Sequence, residues 1–125
     1  MSVGAGVDGK MNRRLVGSEY EQRAVRYMQE NSIQVLEQNY RCRQGEVDII
    51  GKEEDYLLFV EVKYRSSQQS GYPAEAVTAS KQRTIYRVAE YYLYSHHLPE
   101  NTKVRFDVVA ILGDEITYIR NAFEQ

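Results

Sequence analysis

Two short segments hold most of the reactive side chains of this chain. Gly45-Glu46-Val47-Asp48-Ile49-Ile50 is followed, after a polar link, by Tyr56-Leu57-Leu58-Phe59-Val60-Glu61-Val62-Lys63. Both are apolar, strand-like runs with charges in their middle. Side chains alternate along a strand, so Glu61 and Lys63 share one side, and a hairpin would aim Asp48 at the same place. Two acids beside one lysine can hold a divalent cation and activate water against a phosphodiester. Magnesium and manganese favour hard oxygen ligands, and magnesium is commonly held by one or two carboxylates together with waters and phosphate oxygens. Asp48 and Glu61 suit that role, with the backbone carbonyl of Val62 as a further ligand. The cation would polarise the phosphate and lower the pKa of bound water. Lys63 would orient that water and stabilise the charge that develops on phosphorus. Glu21 could complete the shell if the helix carrying it packs across the sheet edge.

A salt-bridged Glu61–Lys63 pair on an exposed sheet face is the plainer use of such residues. The flanking Ile, Leu, Phe and Val argue against it. An unpaired carboxylate is costly to bury, and chains tolerate that cost at sites. Glu46 shares the strand face of Asp48 and stands open between a metal-site role and a partner for Arg41 or Arg43.

These residues need elements to position them. The 125 residues suffice for one domain with a core. Residues 1–12 are Gly-rich and read as a mobile arm, with the basic pair Arg13-Arg14 after it; residues 13–125 read as a single domain. From Ser18 to Glu30, Tyr20, Ala24, Tyr27 and Met28 form one helical stripe, with Ser18 and Glu21 as a capping box. A strand runs from Ile33 towards Tyr40. A second, Glu46 to Gly51, alternates with Val47 and Ile49 on one face and Glu46, Asp48 and Ile50 on the other. Lys52 to Asp55 turns into a third strand, Tyr56 to Tyr64, apolar on both faces and therefore central. Ser66 to Tyr72 is a loop ended by Pro73. A helix follows from about Ala79 to Ser95, and His96-His97-Leu98-Pro99 ends it. Two strands, Val104 to Leu112 and Glu115 to Ile119, close the chain around a Gly113-Asp114 turn. This order predicts an α/β domain with a mixed central sheet of about five strands flanked by helices.

Net charge is −2. Proteins that grip DNA without sequence preference are usually basic, although a metal site concentrates acids and phosphate contacts need only a local basic face. Lys81, Arg83 and Arg87 could supply one along the second helix. Arg41 and Arg43 are further candidates for contact with nucleic acid. Cys42 is the only cysteine, which excludes an intrachain disulfide and a cysteine metal cage. No run is long and apolar enough to span a bilayer or act as a secretory signal, and a cytoplasmic, non-membrane protein is expected. The paired His96 and His97 read as exposed charges at a helix end. Gln82 and Tyr86, one turn apart, read as parts of an ordinary amphipathic helix. Asp107 reads as a structural acid within its strand, paired with an arginine. Tyr91, Tyr92 and Tyr94 spread over more than one side of their helix, which favours a dimer face over base stacking.

The motifs taken together resemble those of the YraN (UPF0102) family of small bacterial proteins. The resemblance rests on Gly17, Glu21 and Ala24, on Asn39-Tyr40-Arg41, on Gly45 to Ile50, and on Phe59-Val60-Glu61-Val62-Lys63-Tyr64-Arg65. Ala76-Val77, Lys81, Arg105 to Val109 and Asn121-Ala122-Phe123 extend it over nearly everything after the arm. That family's fold is similar to the archaeal Holliday-junction resolvases of the PD-(D/E)xK nuclease superfamily. The resemblance implies a restriction-endonuclease-like core and a Mg²⁺- or Mn²⁺-dependent endonuclease acting on DNA, with branched DNA as the substrate class. Asp48 and Glu61 would take the metal-carboxylate positions, Lys63 the lysine position, and Glu21 the first-helix glutamate of the resolvase branch. Arg65 and Lys81 would face phosphate. Val47 stands where the superfamily's signature proline would be. A homodimer is the resolvase analogy. The alternative is a nucleic-acid-binding or scaffold protein that keeps the fold without turnover.

Overall fold

Ala24, Val25 and Met28 are buried at helical spacing, and they lie on α1 (Gly9–Glu30). The computed structural model describes the backbone of residues 9–65 and 77–124, and side chains from residue 19 onward within those spans. The expected loop from Ser66 to Pro73, the side chains of Arg13 and Arg14, and residues 1–8 of the expected arm lie outside the described residues. The start of α1 corrects the sequence reading. Residues 9–12 belong to the helix, so Ser18 lies inside it and is not its N-cap residue. Arg13, Arg14 and Leu15 are good helix formers, and they carry the helix through Gly17 at a propensity cost of about 1 kcal/mol. The C-terminus closes with a left-handed Ser32 (φ 67°), whose neighbour Ile33 donates its N–H to the Met28 carbonyl at 2.8 Å. Met28 and Ile33 then pack in one cluster, as this cap favours.

The strands are β1 (Gln34–Cys42), β2 (Gly45–Glu53), β3 (Tyr56–Arg65), β4 (Lys103–Leu112) and β5 (Glu115–Ile119). They form one sheet in the order β1-β2-β3-β4-β5. Only the β3–β4 pair is parallel, and the crossover between them contains α2 (Ala79–Ser95). The sheet is mixed, with β3 at its centre. The domain is α/β, consistent with a restriction-endonuclease-like core.

Each helix covers one face. Ile49, Leu58, Val60, Val109 and Ile111 meet Ala24, Val25 and Met28 of α1. Val47, Ile50, Leu57, Phe59, Phe106 and Val108 meet Ile85, Val88, Ala89 and Tyr92 of α2. Each fully buried large side chain here stabilises by about 1.5–3 kcal/mol relative to exposure. Tyr92 belongs to this core, edge-on to Tyr40 and Phe59, whereas Tyr91 and Tyr94 are exposed. No helix of the described residues is long and apolar enough to cross a membrane.

The alternation expected along β2 breaks at Asp48. Val47 packs with the α2 cluster and Ile49 with the α1 cluster, although strict pleating would put them together. Two features account for the break. Between the Gln38↔Ile49 and Tyr40↔Val47 pairs of the β1–β2 register, β1 carries Asn39 in the left-handed conformation at φ 53°. On the other side, β2–β3 pairing runs from Glu53↔Tyr56 only as far as Ile49↔Val60. Beyond that pair the two strands part. At the other end of the hairpin the turn is tight, with Glu54 left-handed at φ 56°.

A fully buried acid fastens the far edge of the sheet. Asp107 accepts from Arg105 Nε at 3.0 Å, Tyr118 hydroxyl at 2.7 Å and Asn121 N–H at 2.9 Å. Arg105 also donates to Glu53 at 2.6 Å. Glu53, bound in addition by Arg120, is held at a pKa of about 2 by these guanidinium groups.

Candidate active site

The gap where β2 leaves β3 is bridged by a side chain. Asp48 Oδ2 accepts the Val62 N–H at 2.8 Å, in place of a ladder bond. The N–H and C=O of one strand residue point to the same side, so the Val62 carbonyl also faces this gap. Burial raises the Asp48 pKa, while the Val62 N–H and the Lys81 charge work to lower it.

Glu61 is one residue back on β3 and only 4% exposed. Its Oε2 lies 3.5 Å from Lys81 Nζ in the first turn of α2. Its Oε1 is buried and has no hydrogen-bond partner. Burial first, and the Asp48 charge second, push the Glu61 carboxyl up to about 7, against the pull of Lys81 and Lys63. The partner of Glu61 is thus Lys81, not the Lys63 of the plain sheet-face reading. Lys63 follows on the same strand face and takes part in none of the ion pairs among the described residues.

Glu21 approaches from α1. Its carboxylate accepts from Asn39 Nδ2 at 2.9 Å. Partial burial raises its pKa. The Asn39 bond opposes that rise, and the charges of Asp48 and Glu46 reinforce it. Asp48 therefore links two sets of charges at the split hairpin, Glu61 with Lys81 and Lys63 on one side and Glu21 with Glu46 on the other. α1 is set on this edge by stacking of Tyr20 on Tyr64, with ring centroids 3.9 Å apart.

Other expected residues lie elsewhere or are otherwise engaged. Glu46 pairs with Arg41 at 3.1 Å on the surface, and its charge also acts on Asp48 and Glu21. Arg43 and Arg83 are exposed. Arg65 turns back to the Tyr64 carbonyl at 3.2 Å. Gln82 donates to Val77 O at 3.0 Å and the Tyr86 hydroxyl donates to Glu124 O, so both serve the packing of α2. His96 stacks on Tyr92 beside Glu37. Asn39 enters the neighbourhood with a role the sequence barely signals. The one sign is its residue type, which tolerates left-handed backbone, standing in mid-strand.

The family model described as uncharacterised protein family UPF0102 matches residues 20–111. The chain belongs to the UPF0102 family. A UPF0102 protein of Lachnoclostridium phytofermentans is 50% identical over 114 residues, covering 91% of this chain and 97% of the relative. Another, from Acetivibrio thermocellus, is 47% identical over 127 residues, covering 94% and 97%. A third, from Nitrosomonas europaea, is 45% identical over 112 residues, covering 87% and 93%. The span matched by the UPF0102 model includes Glu21, Asn39, Asp48, Glu61, Lys63 and Lys81.

Among the described residues of this UPF0102 chain, no three His, Cys, Asp or Glu side chains converge closely enough to cage an ion by themselves. The donor set fits the alternative that magnesium prefers, one or two carboxylates with water and phosphate oxygens completing the shell. Asp48, Glu61 and the Val62 carbonyl are all hard oxygens. The buried, unpartnered Oε1 of Glu61 is the atom that most lacks a cation or donor.

Proposed function

We propose that this chain is a metal-dependent endonuclease that hydrolyses DNA phosphodiester bonds. The observation that carries the reading is a pair of desolvated carboxylates, Asp48 and Glu61, incompletely neutralised in a gap between strands. Burying such charge stabilises no fold; it suits a site that receives a cation. When bound, Mg²⁺ or Mn²⁺ supplies Lewis acidity at the phosphate and a water of lowered pKa.

The chain's own residues do the rest. Asp48 and Glu61 hold the cation, and the Val62 N–H fixes the orientation of Asp48. Lys63 orients the attacking water and stabilises negative charge as the phosphorus becomes pentacoordinate. Glu21, held by Asn39, adds a third negative charge at the mouth of the gap. The resolvase resemblance makes branched or flapped DNA the substrate class, and a homodimer the assembly.

Calorimetric titration with Mn²⁺ tests the metal site. Binding to the wild type that Asp48→Ala removes is the expected result. Without Asp48-dependent binding, a fold kept for binding or scaffolding alone becomes the better account.

A further inference from the structure

Lys81, expected to face phosphate, is engaged with a carboxylate of the candidate site. Its ammonium is turned inward, 3.5 Å from Glu61 Oε2, with the Lys81 side chain 36% exposed and that of Glu61 5%. Among the described residues it makes the only ion pair that reaches either candidate metal carboxylate. Its backbone is pinned, because the Lys81 N–H donates to the Thr78 N-cap hydroxyl at 3.1 Å. Only the long, flexible stem is free to move, and its partly exposed head has a route to solvent.

We infer that Lys81 is an exchangeable counter-ion, occupying Glu61 until a divalent cation displaces it and then turning outward to a DNA phosphate. This rests on the metal-site reading above. An ammonium and a divalent cation repel each other, so both cannot be held closely by Glu61. A released lysine is a compact, strongly hydrated point charge suited to phosphate. Cation and DNA are then coupled through one side chain, and each favours the other.

Mn²⁺ titration without DNA tests the exchange on the intact chain. Lys81→Met removes the competing charge and should tighten Mn²⁺ binding by about fivefold or more. Lys81→Arg, which keeps the charge, should give no gain. Arg26→Met removes one positive charge from an exposed position on α1 and should leave Mn²⁺ affinity at the wild-type value. The second readout is the salt dependence of branched-DNA binding. With Mn²⁺ the wild-type slope should exceed that of Lys81→Met by about one phosphate contact, and without Mn²⁺ the two should coincide. Lys81→Gln repeats both measurements if the Met variant folds poorly, as judged by thermal unfolding. Mn²⁺ affinity in Lys81→Met equal to or weaker than wild type overturns the exchange. So does an equal gain in Arg26→Met, or a slope difference that ignores Mn²⁺. Absence of Asp48-dependent Mn²⁺ binding in the wild type is a different result, and it removes the metal-site reading together with this one.

Discussion

Replacing Glu61 by glutamine should stabilise the metal-free protein, and only at neutral and alkaline pH. Glu61 is 4% exposed, and one of its oxygens has no partner. Its pKa is pushed from the ordinary 4.5 to about 7. The sign follows from linkage. A carboxyl with a raised folded-state pKa takes up a proton on folding. Its stabilising effect is fully present below about 4.5, declines as pH rises, and is gone above about 7. Every tenfold change in proton affinity between the unfolded and folded chain is worth about 1.4 kcal/mol, so the ionised form weakens the fold by about 3 kcal/mol. Glutamine keeps the shape without the charge. Lys81 then loses its anion, but its head is exposed enough to be solvated, and that loss is small. Urea denaturation in chelator, from about pH 4.5 to pH 8, reads the difference between the two proteins. Titrations elsewhere cancel in that difference, leaving Glu61 and the neighbouring Asp48. Glu61→Gln should match wild type at the acid end and exceed it by up to about 3 kcal/mol at the alkaline end. A variant weaker than wild type at alkaline pH, or a gain that does not change with pH, would refute the claim that Glu61 carries an unsatisfied charge.

Three further outcomes follow from the same geometry. Lys63→Ala should lower single-turnover cleavage by about 10²-fold or more while changing DNA affinity little; unaltered cleavage would remove Lys63 from the chemistry. Gly45 sits at φ 143°, and a Cβ there would meet the Thr84 methyl at 2.5 Å, so Gly45→Ala should cost about 1–3 kcal/mol in denaturant unfolding. Adding Thr84→Ser, which clears that methyl, should recover part of the loss, and no recovery would locate the strain elsewhere. Asp107→Ala leaves Arg105 and the Tyr118 hydroxyl without their shared acceptor and should cost about 3–5 kcal/mol, a loss that thermal unfolding would register and a neutral result would contradict.

Much of this arrangement is legible in the residues themselves. The two-residue period of β3 fixes Leu57, Phe59, Glu61 and Lys63 to one face and Leu58 and Val60 to the other, and the structure keeps that division. Apolar residues on both faces mark β3 as central, as the sheet order shows. Less legible is whatever depends on contacts between distant segments. The break at Asp48 lies between a left-handed Asn39 on β1 and the Val62 N–H that Asp48 accepts from β3, and no local pattern encodes that arrangement. The pairing of Lys81 with Glu61 depends on how α2 crosses the sheet, since in sequence Lys81 looks like one of several helix-surface cations. The capping box at Ser18 misleads for a related reason. It is a sound local signal overridden by good helix formers upstream, and the carboxylate assigned to capping turns instead to Asn39.

The most direct test is a cleavage panel of branched, flapped, single-stranded and duplex DNA with Mg²⁺ or Mn²⁺, comparing wild type, wild type in chelator, and Asp48→Asn. A metal-dependent nuclease built on Asp48 and Glu61 should cut branched or flapped substrates with either metal. Chelator should abolish that cutting, and Asp48→Asn should reduce it by about 10²-fold or more. Failure of the wild type to cut any substrate, or equal cutting by Asp48→Asn, would contradict it.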